Sequence, residues 1–336
     1  MRLTIRRIWK PGEIASAAYP PADYPAREPG IDQIRNRDDS QLQSVDSLAC
    51  LLHYPLSAVE PPTLIYLHLP KCGGTTLNRL IEWEYPPHRI YSVDPSFFRW
   101  SYYRLLRKSP RRLDGLRVIK GHMPFGVHRL IGRPSTYITV LRDPVERVIS
   151  EYYFALHYPL HPQHQRMQTL TLEQYATTTP HHNLQCKLLA GSPAQRDFLA
   201  GDCTEQTLEA AKANLAAHFS LAGLTERFDE TLALFKVLFG WKLSHYASFN
   251  VGQQRQSRET VPESARQVIA ERNRYDVAIY QHVLPLFDQA LEEHRAAVAE
   301  ALRDVSQART VGRVSTAAFQ AASTLRKAIS RIQSAI

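Results

Sequence analysis

The chain has 336 residues, of which 44% are hydrophobic and 22% charged, as in folded globular proteins; this excludes a disordered, collagen-like or coiled-coil molecule. Lys and Arg (41) outnumber Asp and Glu (32), so the formal net charge is +9 at pH 7 and anionic partners are favoured: nucleotides, nucleic acid, acidic glycans or a lipid surface. No apolar run reaches the roughly 18 residues of a membrane span, the N-terminus lacks the apolar core of a signal peptide, and the four cysteines form no CxxC pair. We therefore expect a cytoplasmic protein with free thiols.

Regular structure is predicted only after the first 60 residues. Residues 1–60 contain many turn signals, including five prolines between Pro11 and Pro29, and predict an irregular arm. The short, apolar, β-rich runs that follow are typical of buried parallel strands. These predicted strands are 63–69, 117–122, 136–142 and 219–224. Apolar residues at helical spacing predict a first helix, which ends at Pro86 and Pro87. Further helices are predicted at 144–156, 171–178, 183–190, 204–217, 226–239 and 262–298.

This alternation of strands and helices predicts an α/β fold. We expect a P-loop-like, three-layer arrangement in which helices flank a central parallel sheet, with a helical C-terminal extension. The predicted organisation is an N-terminal arm of residues 1–60, a main domain of residues 61–298 and a basic helical tail of residues 299–336.

The most informative segment is LHLPKCGGTTL, residues 67–77, which joins a predicted buried strand to a helix. Gly73 and Gly74 allow backbone N–H groups to approach an anion, the helix N-terminus adds positive potential, and Lys71 adds a cation. The order differs from a Walker A motif, because Lys71 precedes the glycines and Cys72 follows it where a Ser or Thr would hold magnesium. A tight strand–helix turn with a surface lysine is the alternative; the whole string behind a hydrophobic strand favours a phosphate site.

The string PKCGGTTL resembles the 5′-phosphosulfate loop of sulfotransferases. The segment TVLRDPVERVISEYYFA, residues 139–155, is similar to the 3′-phosphate motif of the same family, with an arginine at the end of a strand and a serine in the next helix. Similar segments extend from about residue 63 to residue 290, and they point to the branch that contains heparan sulfate 2-O-sulfotransferase.

The resemblance implies that the donor is 3′-phosphoadenosine 5′-phosphosulfate (PAPS). Arg142 and Ser150 are then the ligands of the 3′-phosphate; the alternative is a surface ion pair of Arg142 with Asp143 and a solvated Ser150. The resemblance also implies that Arg255, in the segment NVGQQR, is a further donor contact. Cys72 departs from the threonine common in the family, which could remove one hydroxyl contact. The residues assigned to the 5′-phosphosulfate loop are Lys71, Cys72, Gly73, Gly74, Thr75 and Thr76.

Lys71 and His122 are the predicted catalytic residues. Lys71 faces the charge that builds on the leaving 5′-phosphate oxygen. The acceptor hydroxyl must lose a proton, and histidine suits a general base because its unperturbed pKa is about 6.5. His122 ends a predicted strand in a Gly-His pair similar to the catalytic element of the related enzymes; His128 is the second candidate, and a structural histidine is the alternative. Lys120 could steer the donor or the acceptor, and no metal is expected.

The helix predicted at 144–156 should begin with Asp143 as its N-cap and Pro144 in its first turn.

Two basic segments indicate possible partners. Residues 97–120 hold eight Lys and Arg residues against Asp114, interleaved with aromatic residues, which suits an acidic glycan or nucleic acid; a solvated basic helix explains them equally well. Residues 301–336 hold six basic residues against Asp304 and could lie on an anionic membrane, although a solvated tail or an oligomer contact is favoured.

The function predicted from the sequence is in-line transfer of a sulfuryl group from PAPS to a hydroxyl of a carbohydrate, on a glycan or a glycolipid, with nucleic acid disfavoured as a partner. Two alternatives stay open. A P-loop kinase or other NTPase would need magnesium and a Walker A lysine, and a non-catalytic anion-binding module would not need His122.

Overall fold

The structure is a computed structural model, and it describes residues 61–93, 98–191, 202–243 and 261–314. In those ranges, five parallel strands form one sheet in the order β2-β3-β1-β4-β5. Helices flank the sheet, as predicted. The strands are β1 (Thr63–Leu67), β2 (Ile90–Val93), β3 (Val118–Gly121), β4 (Ser135–Leu141) and β5 (Phe219–Leu224).

The helices follow the strands in the alternation that the sequence predicted. They are α1 (Gly74–Glu84), α2 (Phe98–Leu106), α3 (Pro110–Asp114), α4 (Pro144–His157), α5 (His164–Met167), α6 (Leu172–Thr178), α7 (Leu184–Ala190), α8 (Glu205–His218), α9 (Phe228–Phe239), α10 (Glu263–Arg272), α11 (Arg274–Glu293) and α12 (Arg295–Val314). Short 3-10 turns lie at Pro87–Arg89 and Val127–Leu130.

Local sequence explains the elements nearest the site. All five residues of β1 are buried, which fits a central strand covered on both faces. Helix α4 begins as predicted: the Asp143 Oδ1 accepts a hydrogen bond from the Glu146 backbone N–H at 3.0 Å, and Pro144 occupies the first turn.

Several elements differ from the predictions, and helices α2, α3 and α5 were not among the predicted helices. Strand β2 was not predicted, because IYSV is only four residues long and contains a polar serine. The single helix predicted over 262–298 is divided among α10, α11 and the start of α12. At the first break, the Asn273 Oδ1 accepts from the Asn183 backbone N–H at 3.0 Å and the Asn273 Nδ2 donates to the Ile269 carbonyl at 2.8 Å. A tertiary contact, which sequence periodicity cannot reveal, therefore fixes the break.

Buried side chains form two clusters. The larger surrounds the sheet, and the smaller lies between α4, α6 and α10. Helix α12 crosses the predicted boundary at 298/299 and packs on α9, with Val298, Ala301 and Val305 buried in the larger cluster. Residues 1–60, which are the whole predicted arm, and residues 315–336, which are most of the predicted tail, lie outside the described residues. Among the described helices, none has the length and hydropathy of a membrane span.

The order of the strands in the sheet indicates where a ligand site should lie. The chain leaves β1 towards β2 and β3 on one side and then crosses to β4 on the other, so β1 lies at a topological switch point. Ligands of open α/β sheets bind at the carboxyl ends of strands beside such a point. The residues that follow β3, β1 and β4 therefore share one edge of the sheet.

Candidate active site

The turn between β1 and α1 has the backbone of an anion-binding loop. Lys71 and Gly73 both have positive φ angles, 68° and 74°, which tighten the chain before the helix begins at Gly74. The N-cap residue Gly73 offers no side-chain acceptor, and the first turn of α1 contains no acidic residue. This helix N-terminus therefore keeps its positive potential for an anion, whereas the Asp143 carboxylate caps α4.

The two glycines of the loop are sterically required. A Cβ atom at Gly74 would lie 1.6 Å from the His68 Nε2, so the His68 imidazole occupies the space that a side chain would need. At Gly73 the positive φ disfavours other residues, and a Cβ atom would lie 3.1 Å from the Phe228 ring. At these two positions the loop packs against its neighbours through backbone atoms.

The Lys71 side chain extends from this loop over helix α4. Its Nζ lies 3.7 Å from the centre of the Phe154 ring, a cation–π contact. Burial lowers the pKa of Lys71 to about 8, with Glu151 acting in the opposite direction and Arg142 adding to the fall. A bound anion would favour the charged lysine, because it would replace lost hydration with an ionic contact.

Arg142 connects the two predicted phosphate sites. Its backbone follows β4, and its Nη1 donates a hydrogen bond to the Lys71 carbonyl at 3.0 Å. Arg142 as a whole is 9% exposed, and its Nη2 lies 4.0 Å from the Glu146 Oε2. The arginine that follows β4 therefore lies directly against the loop that follows β1, as one composite site requires.

Gln185, at the start of α7, joins these segments. Its Oε1 accepts from the Arg142 backbone N–H at 3.0 Å, its Nε2 donates to the Arg142 carbonyl at 2.9 Å, and the Cys72 thiol lies 3.6 Å from the Oε1. Gln185 is fully buried, which the sequence pattern did not indicate.

Cys72 contributes backbone to the loop while its side chain lies in the core. The Sγ contacts Gln185 and lies 3.5 Å from the Pro70 carbonyl oxygen. Burial raises the pKa of the thiol to about 12, so the group stays neutral. The hydroxyl of a threonine at this position would point into the same buried environment.

Helix α4 carries Ser150 on a half-exposed position, two turns after Arg142. Its apolar side faces the smaller cluster, with Val148 and Ile149 buried. The helix also has a buried polar side: the Arg147 Nη1 donates to the Glu151 Oε2 at 2.7 Å, and the Arg147 Nε is buried without a hydrogen-bond partner.

Glu151 is the centre of that polar side. Its second oxygen, Oε1, lies 3.3 Å from the His181 Nδ1. Burial alone would raise the pKa of Glu151, but Arg147 and His181 outweigh it and lower the pKa to about 2. The sequence did not indicate this cluster, because a helical wheel assigns Arg147 and Glu151 to solvent.

His122, the predicted base, follows β3 on the other side of β1. Its Nδ1 lies 2.8 Å from the His68 carbonyl oxygen, and the two imidazoles are stacked with centroids 4.1 Å apart. A carbonyl can only accept, so the Nδ1 carries a proton and the lone pair of the neutral ring is on the Nε2. The half-buried ring therefore has the tautomer that a general base needs at its outer nitrogen.

The other predicted residues have different surroundings. The His128 Nδ1 is 3.0 Å from the Tyr137 hydroxyl within an aromatic cluster, which suits a structural role better than that of second candidate base. The Lys120 Nζ is buried against the Glu82 carboxylate at 2.8 Å. Thr75 is exposed and Thr76 buried in the first turn of α1. Arg255 lies outside the described residues.

An exposed apolar surface lies beside Lys71. Phe154 and Tyr158 on and just after α4 are stacked with centroids 5.3 Å apart, and they are 43% and 44% exposed. Leu160, close by in sequence, is 78% exposed.

Across the described ranges, no group of three or more His, Cys, Asp or Glu side chains could hold a metal ion.

These features define an α/β protein whose basic site lies at the carboxyl ends of parallel strands. The family model of galactose-3-O-sulfotransferases matches residues 84–335, which is 252 of the 336 residues, and the chain belongs to that family. The match contains His122, Arg142 and Ser150 and begins after the loop of residues 71–76.

Curated relatives are distant. Galactose-3-O-sulfotransferase 3 of Bos taurus is 26% identical over 57% of this chain and 48% of its own length. Galactose-3-O-sulfotransferase 2 of Mus musculus is 24% identical over 68% of this chain and 63% of its own length. The chain thus spans about half to three fifths of these relatives. The family match corrects the predicted branch, because it is to the galactose-3-O-sulfotransferase family and not to the heparan sulfate 2-O-sulfotransferase branch.

Proposed function

We propose that the protein transfers a sulfuryl group from PAPS to a hydroxyl of a carbohydrate. The observation that carries the proposal is the hydrogen bond from the Arg142 Nη1 to the Lys71 carbonyl, because it brings two basic elements together. A donor with anionic groups at its 5′ and 3′ positions needs two such elements side by side. Family membership supports the carbohydrate acceptor, and the names of the relatives make galactose-bearing glycans the first acceptors to test.

The chain's own residues would divide the work on the donor. The backbone N–H groups at the start of α1 and the Lys71 ammonium would bind the 5′ end, and Lys71 would stabilise charge on the leaving oxygen. The Arg142 guanidinium suits a phosphate because of its planar fork of donors, and Ser150 would add a hydroxyl at the 3′ end. Glu146 would hold Arg142 in place from the opposite side.

His122 would act as the general base. The acceptor oxygen forms a bond to sulfur while the bond from sulfur to the 5′-phosphate oxygen breaks, leaving 3′,5′-adenosine bisphosphate. The acceptor's proton passes to the His122 Nε2, which is basic because the Nδ1 proton is held by the His68 carbonyl. Positioning and charge stabilisation do most of the remaining work, as in phosphoryl transfer.

The exposed aromatic residues beside Lys71 are suited to a sugar acceptor. One face of a galactose ring is lined with C–H groups, and such a face packs on aromatic rings. The stacked pair Phe154 and Tyr158 offers a broad apolar surface within reach of the Lys71 Nζ. We expect Tyr158→Ala to raise the KM for a galactoside about 3- to 10-fold while the donor KM stays unchanged.

Calorimetry with purified protein tests the proposal. In the presence of a chelator, 3′,5′-adenosine bisphosphate should bind more tightly than ATP. A preference for ATP, or a strict need for magnesium, would support the kinase or NTPase alternative instead.

A variant of the predicted base gives a second test. His122→Ala should keep its nucleotide affinity, and its rate of sulfuryl transfer should fall about 10²–10⁴-fold. His157→Ala is the matched control, since His157 is exposed at the end of α4; undiminished transfer in His122→Ala would remove this base from the mechanism.

A further inference from the structure

The side-chain amide of Asn78 has a fixed orientation. The Lys120 Nζ lies 3.1 Å from the Asn78 Oδ1 and 2.8 Å from the Glu82 Oε1. An ammonium group can only donate, so it identifies the nearby amide atom as the oxygen. The Asn78 Nδ2 then faces the His68 Nδ1 at 3.2 Å and donates to it.

That hydrogen bond determines the state of His68. Because the Nδ1 accepts, the ring is neutral and its proton is on the Nε2, the atom that lies against Gly74. Burial holds the pKa of His68 well below its usual value, and the nearby His122, Lys120 and Lys71 lower it further. Neither His68 nor Asn78 was indicated by the sequence, although His68 lies only three residues before Lys71.

His68 makes two separate contacts with His122. Its main-chain carbonyl accepts from the His122 Nδ1 at 2.8 Å, and its ring stacks on the His122 ring with an interplanar angle of 25°. The first contact selects the tautomer of His122, and the second restricts the rotation of its ring. Buried second partners of this kind commonly orient a reactive imidazole.

We propose that His68 is a positioning residue for His122, held in turn by Asn78, Lys120 and Glu82. His68 acts through the base rather than on the acceptor. The inference rests on the proposed role of His122 in sulfuryl transfer. It also gives Lys120 a different task from steering a substrate, because the Lys120 ammonium orients the Asn78 amide.

A double-mutant cycle tests the proposal in the full-length chain. We expect His68→Ala to lower kcat about 10- to 100-fold, while the affinity for 3′,5′-adenosine bisphosphate changes less than about 3-fold. In the His122→Ala background, adding His68→Ala should cost nothing further, because the residue through which it acts is gone. Additive losses, or a loss of nucleotide affinity equal to the loss of kcat, would overturn the proposal.

A spectroscopic measurement needs no folded variant of His68 and no activity. In protein labelled with ¹⁵N-histidine, the His122 signal, assigned by its disappearance in His122→Ala, should report the tautomer with the proton on Nδ1. Free histidine prefers the other tautomer, so the result is diagnostic. A proton on Nε2 would overturn the positioning role, whereas full transfer by His122→Ala would instead remove the base from the proposed function.

Discussion

The Arg142 guanidinium donates to the carbonyl of Lys71 across a distance of 3.0 Å, although 70 residues separate the two in the chain. The contact crosses from the end of β4 to the loop after β1, its neighbour in the sheet. Gln185 reinforces it by bonding both backbone groups of Arg142. Two basic elements are therefore held in one rigid unit, and each of the following predictions tests a part of that unit.

Replacing Gln185 should destabilise the fold. In Gln185→Leu, the buried N–H and carbonyl of Arg142 lose their partner, and we expect unfolding to cost about 2–4 kcal/mol less than in the wild type. Urea denaturation measures the change. Gln289→Ala, on the exposed side of α11, is the control and should stay within about 0.5 kcal/mol. Equal stability of the two variants would contradict the role of Gln185.

Replacing Gly74 should damage both stability and nucleotide binding. The new Cβ of Gly74→Ala would meet the His68 ring, which is itself held by Asn78 and His122 and cannot retreat easily. We expect a loss of more than about 3 kcal/mol. Gly115→Ala is the matched control, since its nearest neighbour would be a backbone oxygen at an ordinary 3.5 Å. Thermal unfolding of the two variants side by side decides the point; an unharmed Gly74→Ala protein would mean that His68 is free to move.

Nucleotide affinity should depend on pH through Lys71. The cationic form predominates below its pKa of about 8, so the affinity for 3′,5′-adenosine bisphosphate should be highest below that value and fall as pH rises through it. The phosphates do not cause this fall, because they are fully ionised above about pH 7. Lys71→Arg should flatten the profile, since arginine stays charged. Calorimetry from pH 7 to 10 gives the comparison, and the same decline in both proteins would exclude Lys71 as its cause.

Glu151 should contribute to acid stability. Its pKa in the folded protein is about 2, below the ordinary 4.5, so its stabilising effect is complete above pH 4.5 and is lost as the pH falls towards 2. Glu151→Gln should reduce stability at pH 7 by about 3–5 kcal/mol, because it leaves Arg147 buried without its anion. Glu209→Gln, which breaks an exposed pair with Lys212, should change it by less than about 1 kcal/mol. Urea midpoints between pH 2 and 7 check both the size and the pH range.

Much of the fold could be predicted because local signals agree with the tertiary structure. The apolar runs of β1, β3, β4 and β5 are buried strands, and Asp143 caps α4 where its position suggested. The loop at Lys71 was recognisable from its glycines. These features depend on residues adjacent in the chain, which is the range over which a sequence pattern carries information.

The interior contacts of the site could not be predicted for the opposite reason. Gln185 bonds Arg142, which is 43 residues away in sequence, and His68 contacts His122, which is 54 residues away. Arg147 is buried on a helix side that the apolar pattern assigned to solvent. Asn273 ends α10 by contacting Asn183 across 90 residues. Each depends on how separate elements pack together, and periodicity within one element does not report this.

The central claim is that two basic elements bind the same donor molecule. The most direct test compares the affinities for 3′,5′-adenosine bisphosphate and 5′-AMP in the wild-type protein, in Arg142→Gln and in Ser150→Ala. Removing the 3′-phosphate should weaken binding to the wild type about 100-fold, as the loss of charge-assisted hydrogen bonds requires. In each variant the same removal should cost less than about 10-fold, because one of the two groups that bind the 3′-phosphate is already absent. An unchanged 100-fold difference in both variants would contradict the assignment of Arg142 and Ser150 to the 3′ end of the donor.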